Sequence, residues 1–326
     1  MNSFLRHLPP GQQVGLLFVL VFGTLLLATA VAFGLSLRGR REDDVQSRRL
    51  QEFNTVLSTS WAMSAVFWVG WALGETFATV LFGFVAFFAL REFISLSPTR
   101  RGDHRSLVLA FFGVLPIQFA LVINRNFDLV TVFIPVYVFL AVPVVSALAN
   151  DPERFLERNA KLQWGIMVCV YGISHVPALL LLEFPGYEGK NAFLVFFLVL
   201  VVQSCMLVQH LANRRWPRQS SAPRVSKSFN WRTWALAVGV ASLVGSLLSG
   251  LTPFKPGQAV AMALIACMSG SLGHLVMKAI KRDRGITNWG REGKSVIGAT
   301  GLLDRVDALC FAAPIFFHSV RWYFGV

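Results

Sequence analysis

The chain has 326 residues, 55% of them hydrophobic and only 14% charged, and 29 are phenylalanine. A soluble domain carries about a quarter charged residues and lacks the interior to hide this much apolar surface, so the composition excludes a soluble enzyme and predicts a multi-spanning membrane protein. The formal net charge of +13 fits loop charge that orients membrane helices, not a nucleic-acid footprint, because no basic soluble domain accompanies it.

Ten apolar segments succeed one another, at about 12–37, 57–73, 75–96, 106–124, 128–148, 163–182, 191–211, 233–252, 257–280 and 303–323. The first is too long for the apolar region of a signal peptide and is followed by charge instead of a small-residue cleavage site. Leu73-Gly74-Glu75 reads as a tight turn between the second and third. Lipid offers no partner for backbone N–H and C=O groups, so each run is expected to be helical. The expected fold is all-α: a polytopic transmembrane bundle of about ten helices in a single integral-membrane domain. Residues 1–150 supply the N-terminal helices and 151–326 the C-terminal ones. Cys169, Cys205, Cys267 and Cys310 all lie in apolar runs without a CxxC pair; they read as small buried hydrophobes, not as zinc ligands or disulfides.

The loops set the expected orientation. Loops 38–56, 97–105, 149–162, 212–232 and 281–302 hold five, three, three, six and five Lys/Arg, 22 in all. The opposite ends carry five: Arg6, Arg125, Lys190, Lys255 and Arg321. This bias places the five loops in the cytoplasm and both termini in the periplasm, in the inner (cell) membrane of a bacterium. Loop 212–232, rich in Arg, Ser and Pro, reads as a solvated linker.

The stretch 278–307 carries the chemistry. It begins where a helix leaves the membrane and ends where the last one enters. Gly285, Gly290, Gly293, Gly298 and Gly301 fall within it, and such a loop lets backbone N–H groups approach an anion. Asp304 and Asp307 are three apart and share one helix face, so both carboxylates can serve one cation. Asp304 also suits a helix N-terminus on dipole grounds alone. Asp307 lies one turn in, beside Ala308-Leu309-Cys310-Phe311, and an ionisable residue in a membrane segment points to function. Lys281, Arg282 and Arg284 anchor the preceding helix, and with the glycines and the Asp pair they suggest a phosphate site at the membrane surface.

Five further polar positions lie within apolar runs. His175 is expected to be a hydrogen-bonded interior histidine next to the Pro177 kink. Gln203, Gln209 and His210 are expected either to face the active cleft or to make interhelical hydrogen bonds. His274 lies one turn from Lys278 and two from Lys281-Arg282.

Lys281-Arg282, Gly285-Ile286, Gly298, Gly301, Leu303-Asp304-Arg305-Val306-Asp307 and the following Ala312-Ala313-Pro314 resemble the hallmark of the phosphatidate cytidylyltransferase (CDP-diacylglycerol synthase) family. Ala89-Leu90-Arg91-Glu92-Phe93 resembles an early helix end of that family, and Ala222-Pro223-Arg224-Val225-Ser226 with Trp231 the segment before its C-terminal helices. The chain departs from the pattern at Thr287-Asn288, where the family has Lys-Asp, at Ala299, where it has His, and at His274, where it has an acidic residue. The resemblance implies condensation of CTP with phosphatidate to CDP-diacylglycerol and pyrophosphate, for phospholipid synthesis. It implies Asp304, Asp307 and Lys281 as catalytic residues, with Mg²⁺ on Asp304 and Asp307. It also implies substrate contacts from Arg282, Arg305, Gly298, Gly301, Asn288 and His274. The expected partners are CTP, phosphatidate and the membrane, with no nucleic acid, and a homodimer is compatible with this plan. Replacement of several acidic positions leaves as one alternative a degenerate homologue that binds anionic lipid or nucleotide without turnover, and a plan of ten helices permits a lipid transporter as another.

Overall fold

The computed structural model describes residues 73–96, 99–183, 187, 191–216, 219–286, 289 and 301–325, with seven helical positions between 15 and 30. The expected segments 12–37 (those seven positions apart) and 57–72 and the loop 38–56 lie outside the described residues. By internal contact the chain divides into two compact units, 1–78 and 79–326. The second holds all but a few of the described residues.

Eight long helices are described: α1 (Glu75–Ser95), α2 (Arg101–Ile123), α3 (Phe127–Ala147), α4 (Phe155–Leu180), α5 (Ala192–Arg215), α6 (Trp231–Leu251), α7 (Pro256–Asp283) and α8 (Leu303–Phe324). They coincide with eight of the ten expected segments. No strand occurs among the described residues. The first seven are long and apolar enough to cross a membrane, so the chain is a multi-pass membrane protein. α8 differs in carrying Asp304, Arg305, Asp307 and Arg321.

The helices are not uniform. Wider π-type turns occupy 109–114, 133–138 and 166–172. Each lies at or ahead of a proline: Pro116, Pro135 and Pro177. Proline removes a backbone donor, and the ladder regains its hydrogen bonds by widening locally.

α4 is the central helix. In its apolar window 78% of residues are buried, against at most 44% in the other six candidate spans. Small residues let neighbours approach it and each other. A Cβ on Gly172 of α4 would lie 2.3 Å from the Cys310 carbonyl oxygen of α8, and one on Gly273 of α7 would lie 2.2 Å from Phe311 Cγ. These contacts bring α4 and α7 directly onto α8. The four cysteines are free and buried, as their apolar settings predict.

Ion pairs sort the two ends of the bundle. At one end, buried Arg158 at the start of α4 pairs with Asp103 (2.8 Å) and Asp151 (2.7 Å), and Arg100 pairs with Glu153. These bonds join loops 97–105 and 149–162. At the other end, Arg321 pairs with Asp128 at 3.0 Å and Arg125 with Glu183. Positions that the charge count puts on one side of the membrane therefore lie together in three dimensions.

The segment 219–230 is a folded connection, not a solvated linker. The Ser220 hydroxyl donates to the carbonyls of Ser226 (2.5 Å) and Phe229 (2.9 Å), and the Ser221 N–H donates to Phe229 O at 2.8 Å. Phe229 is buried and meets Trp231 edge to face, 5.1 Å between centroids. Serine hydroxyls that satisfy the backbone locally let this polar stretch fold back on the bundle.

Candidate functional site

The last turns of α7 and the first turns of α8 meet at one end of the bundle. Basic residues close α7 and acidic residues open α8, each the favourable sign for its helix terminus. Lys281, 8% exposed, places Nζ 2.5 Å from Asp304 Oδ1. Asp304 Oδ2 accepts from the Trp289 backbone N–H at 2.8 Å. Two turns earlier on α7, His274 Nδ1 lies 2.7 Å from Asp307 Oδ2. Asp307 Oδ1 accepts from the Ala308 N–H at 2.7 Å, and the residue is 3% exposed.

The i, i+3 spacing does put both carboxylates on one face of α8, but they do not converge on a shared protein cation. Lys281 serves Asp304 and His274 serves Asp307. An unpaired carboxylate at these depths would cost several kcal/mol, and pairing with hydrogen bonds offsets that cost.

Glu92, at the end of α1, supplies what the sequence pattern does not foretell. It is 9% exposed, and its two oxygens accept from the backbone N–H groups of Gly301 and Leu303, the latter at 2.8 Å. α8 has no side-chain cap of its own, so Glu92 satisfies orphan donors at its start. Gly301 has φ +83°, a conformation glycine adopts without strain. Trp289 is likewise given no role by the pattern. It is buried and stacks on Phe93, with centroids 5.3 Å apart. The signal for Glu92 is a lone acid at the end of an apolar helix.

Of the other expected site residues, Arg282 and Arg305 are exposed, each one residue along its helix from a member of the Lys281–Asp304 pair. Asn288 and Gly298 lie outside the described residues, as do Thr287, Ala299, Gly290 and Gly293. His175 is buried, its Nδ1 2.7 Å from the Tyr171 carbonyl oxygen, in agreement with the interior reading.

A cavity of about 220 Å³ adjoins the site between α5, α7 and the 219–230 connection. Gln209 and His210 line it together with Ser226, Ser228, Ser271, His274 and Lys278. Gln203 does not; it is exposed, two turns before His210 on α5. The walls are fixed by hydrogen bonds. Asn213 Nδ2 donates to the Ser228 carbonyl at 2.7 Å, and Trp234 Nε1 donates to Ser271 Oγ at 2.8 Å. The assembled site thus offers two carboxylates, a lysine, a histidine and a polar recess at a membrane-helix end, a set suited to phosphate chemistry.

Comparison with known proteins points the same way. The sequence profile of the Cytidylyltransferase family matches residues 54–323. The chain is 32% identical over 307 residues to the uncharacterized protein YnbB of Escherichia coli (strain K12), covering 93% of this chain and 96% of that one. It is 27% identical over 174 residues to the phosphatidate cytidylyltransferase of Mycobacterium leprae (strain TN), 52% of each chain. It is 31% identical over 136 residues to that of Brucella abortus (strain 2308), 40% of this chain and 48% of the relative. These last two matches span about half of each relative. The profile runs through α1 to α8, including Glu92, the Lys281–Asp304 pair and the His274–Asp307 pair, and the chain belongs to the cytidylyltransferase family.

Proposed function

We propose that this protein transfers the cytidylyl group of CTP to phosphatidate, giving CDP-diacylglycerol and pyrophosphate, at the cytoplasmic face of the inner membrane. The observation that carries the reading is the pair of α8 carboxylates, each held by a basic residue of α7, beside a polar recess. A phosphate oxygen of phosphatidate attacks the α-phosphorus of CTP in line. A new P–O bond forms, the α–β P–O bond breaks, and its electron pair leaves with pyrophosphate. Lys281 and Arg282 supply positive charge near the transferring phosphates, and Arg305 and the Gly301 turn lie within the same end of the bundle. Asn288 and Gly298 belong to the same reading as substrate contacts.

Mg²⁺ fits this donor set in the mode in which one or two carboxylates share the ion with substrate phosphates. All four oxygens of Asp304 and Asp307 accept one hydrogen bond, and each carboxylate oxygen retains a second lone pair. Asp304 and Asp307 would hold the ion, which would offset negative charge on the phosphates. The sidedness of the Lys/Arg-rich loops supports the cytoplasmic placement.

The test is turnover of purified protein in detergent–lipid micelles with Mg²⁺, radiolabelled CTP and phosphatidate, with Asp304→Ala/Asp307→Ala as control. Label entering a lipid product, and absent with the control, is the expected result. A folded protein with no product above the control overturns the reading. One observation favours a second reading, a homologue that binds without turnover: His274 and Lys281 already lie at hydrogen-bond distance from the carboxylates. That reading expects no product together with retained phosphatidate binding.

A further inference from the structure

The cavity between α5, α7 and the 219–230 connection has a charge balance unlike the Asp-rich end next to it. Its lining holds Lys278, His210 and His274 and no carboxylate among the described residues. Lys278 is half-buried and pairs with no carboxylate among the described residues. The nearest acid across the helix pair, Asp307, is engaged by His274 and the Ala308 N–H. A desolvated lysine without a partner is costly, and a bound anion removes that cost. Two hydroxyls share its lining: Ser226 Oγ and Ser228 Oγ lie 3.3 Å apart, while the Ser271 hydroxyl beside them donates to the Cys267 carbonyl.

We infer that this cavity seats a phosphate group without a metal ion, with Lys278 as its countercharge and the Ser226–Ser228 hydroxyl pair and Gln209 as its hydrogen-bond donors. At about 220 Å³ the recess is smaller than the roughly 300–1,000 Å³ that takes a drug-sized ligand. It therefore suits a phosphate or phosphoglycerol group with the remainder of the molecule outside. The shared chemistry is a phosphate ester or anhydride, carried by a lipid headgroup or by a nucleotide. The inference rests on the phosphate-ligand reading above and deepens it by naming the residues that hold the phosphate; turnover of CTP and phosphatidate with full affinity retained in Lys278→Met overturns the inference alone.

The test is binding by the full-length protein in detergent, with EDTA present throughout so that no divalent ion contributes. The probes are dioctanoyl phosphatidate, CTP and, as a phosphate-free control, dioctanoylglycerol. Lys278→Met is the main variant, Lys278→Arg the rescue, and Lys255→Gln a charge-matched control at the far end of α7. The expected result is a loss of about tenfold in affinity with Lys278→Met, the value of one charge-assisted contact. Dioctanoylglycerol binding stays unchanged, and Lys278→Arg restores affinity. Loss for phosphatidate alone identifies a lipid headgroup in the recess, and loss for CTP alone identifies a nucleotide phosphate. Unchanged affinity for both, or an equal loss with Lys255→Gln, overturns the inference. Should Lys278→Met elute as aggregate, Gln209→Leu replaces it and is expected to weaken the same probe severalfold; no change would overturn the inference as well.

Discussion

Lys281 of α7 and Asp304 of α8 stand 2.5 Å apart between Nζ and Oδ1, across a connection of more than a dozen residues, and together they tie the two helices at the mouth of the site. The lysine side chain is 10% exposed and the aspartate side chain 23%.

Removing one member leaves the other under-satisfied. Lys281→Met is expected to destabilise by about 1–3 kcal/mol, below the value for a fully buried pair because Asp304 keeps some solvent. Lys281→Met/Asp304→Leu should recover part of that loss. Thermal melts of the four proteins in one detergent give the coupling directly. Additive losses would show that the pair contributes no coupling.

Asp307→Asn keeps the shape of the side chain and removes its charge. If the site transfers a phosphoryl-linked group, the variant should lose on the order of a hundredfold in turnover, with a melting temperature close to that of the parent. The ratio of labelled lipid formed by the two proteins is the measurement.

Glu92→Gln retains one acceptor oxygen for the Gly301 and Leu303 N–H groups, and Glu92→Leu retains none. The expected costs are about 1 kcal/mol and about 2–3 kcal/mol, those of a weakened and a lost cap at a buried helix start. Hydrogen exchange should speed up at 301–305 in both variants, in that order of severity. Protection equal to the parent in Glu92→Leu would contradict the capping role.

Two glycines should respond oppositely to alanine. Gly172→Ala pushes a Cβ to 2.3 Å from the Cys310 carbonyl oxygen, and the backbone must shift, at a cost of about 1–3 kcal/mol or more. Gly239, inside α6, has nothing within 4 Å of the added atom, so Gly239→Ala should gain roughly 0.5–1 kcal/mol through helix propensity. Melting temperatures of both variants decide the matter.

The two ends of the bundle should label from opposite sides. The four native cysteines are buried, so single cysteines introduced at Arg101 and Asp151 should react with an impermeant thiol reagent in inverted vesicles. Cysteines at Asn124 and Glu183 should react in intact cells. The reverse pattern would invert the topology that the loop charges predict.

Most of the fold is legible in the sequence because lipid simplifies the problem. A long apolar run has only one way to satisfy its backbone, and segments 75–96 to 303–323 emerge as helices near their expected bounds. The Asp304–Asp307 spacing and the basic end of α7 are equally visible, since one helical period governs both. What depends on packing between distant segments is not visible. The i, i+3 pattern allows a shared cation, and only the approach of α7 through Gly273 reveals that His274 and Lys281 divide the carboxylates between them. Glu92 reads as a helix end until α8 is seen against it. The 219–230 connection has the composition of a linker, and its fold arises from serine side chains that close on their own backbone.

The Glu92 clamp links positions 209 and 211 residues apart in the chain. During synthesis Glu92 emerges first, and its two partners follow only 209 and 211 residues later. Until then a carboxylate waits at the end of a membrane helix with no N–H to receive it. The clamp therefore closes only once the start of α8 has been made, and a product that stops before Gly301 leaves the Glu92 carboxylate without these two donors.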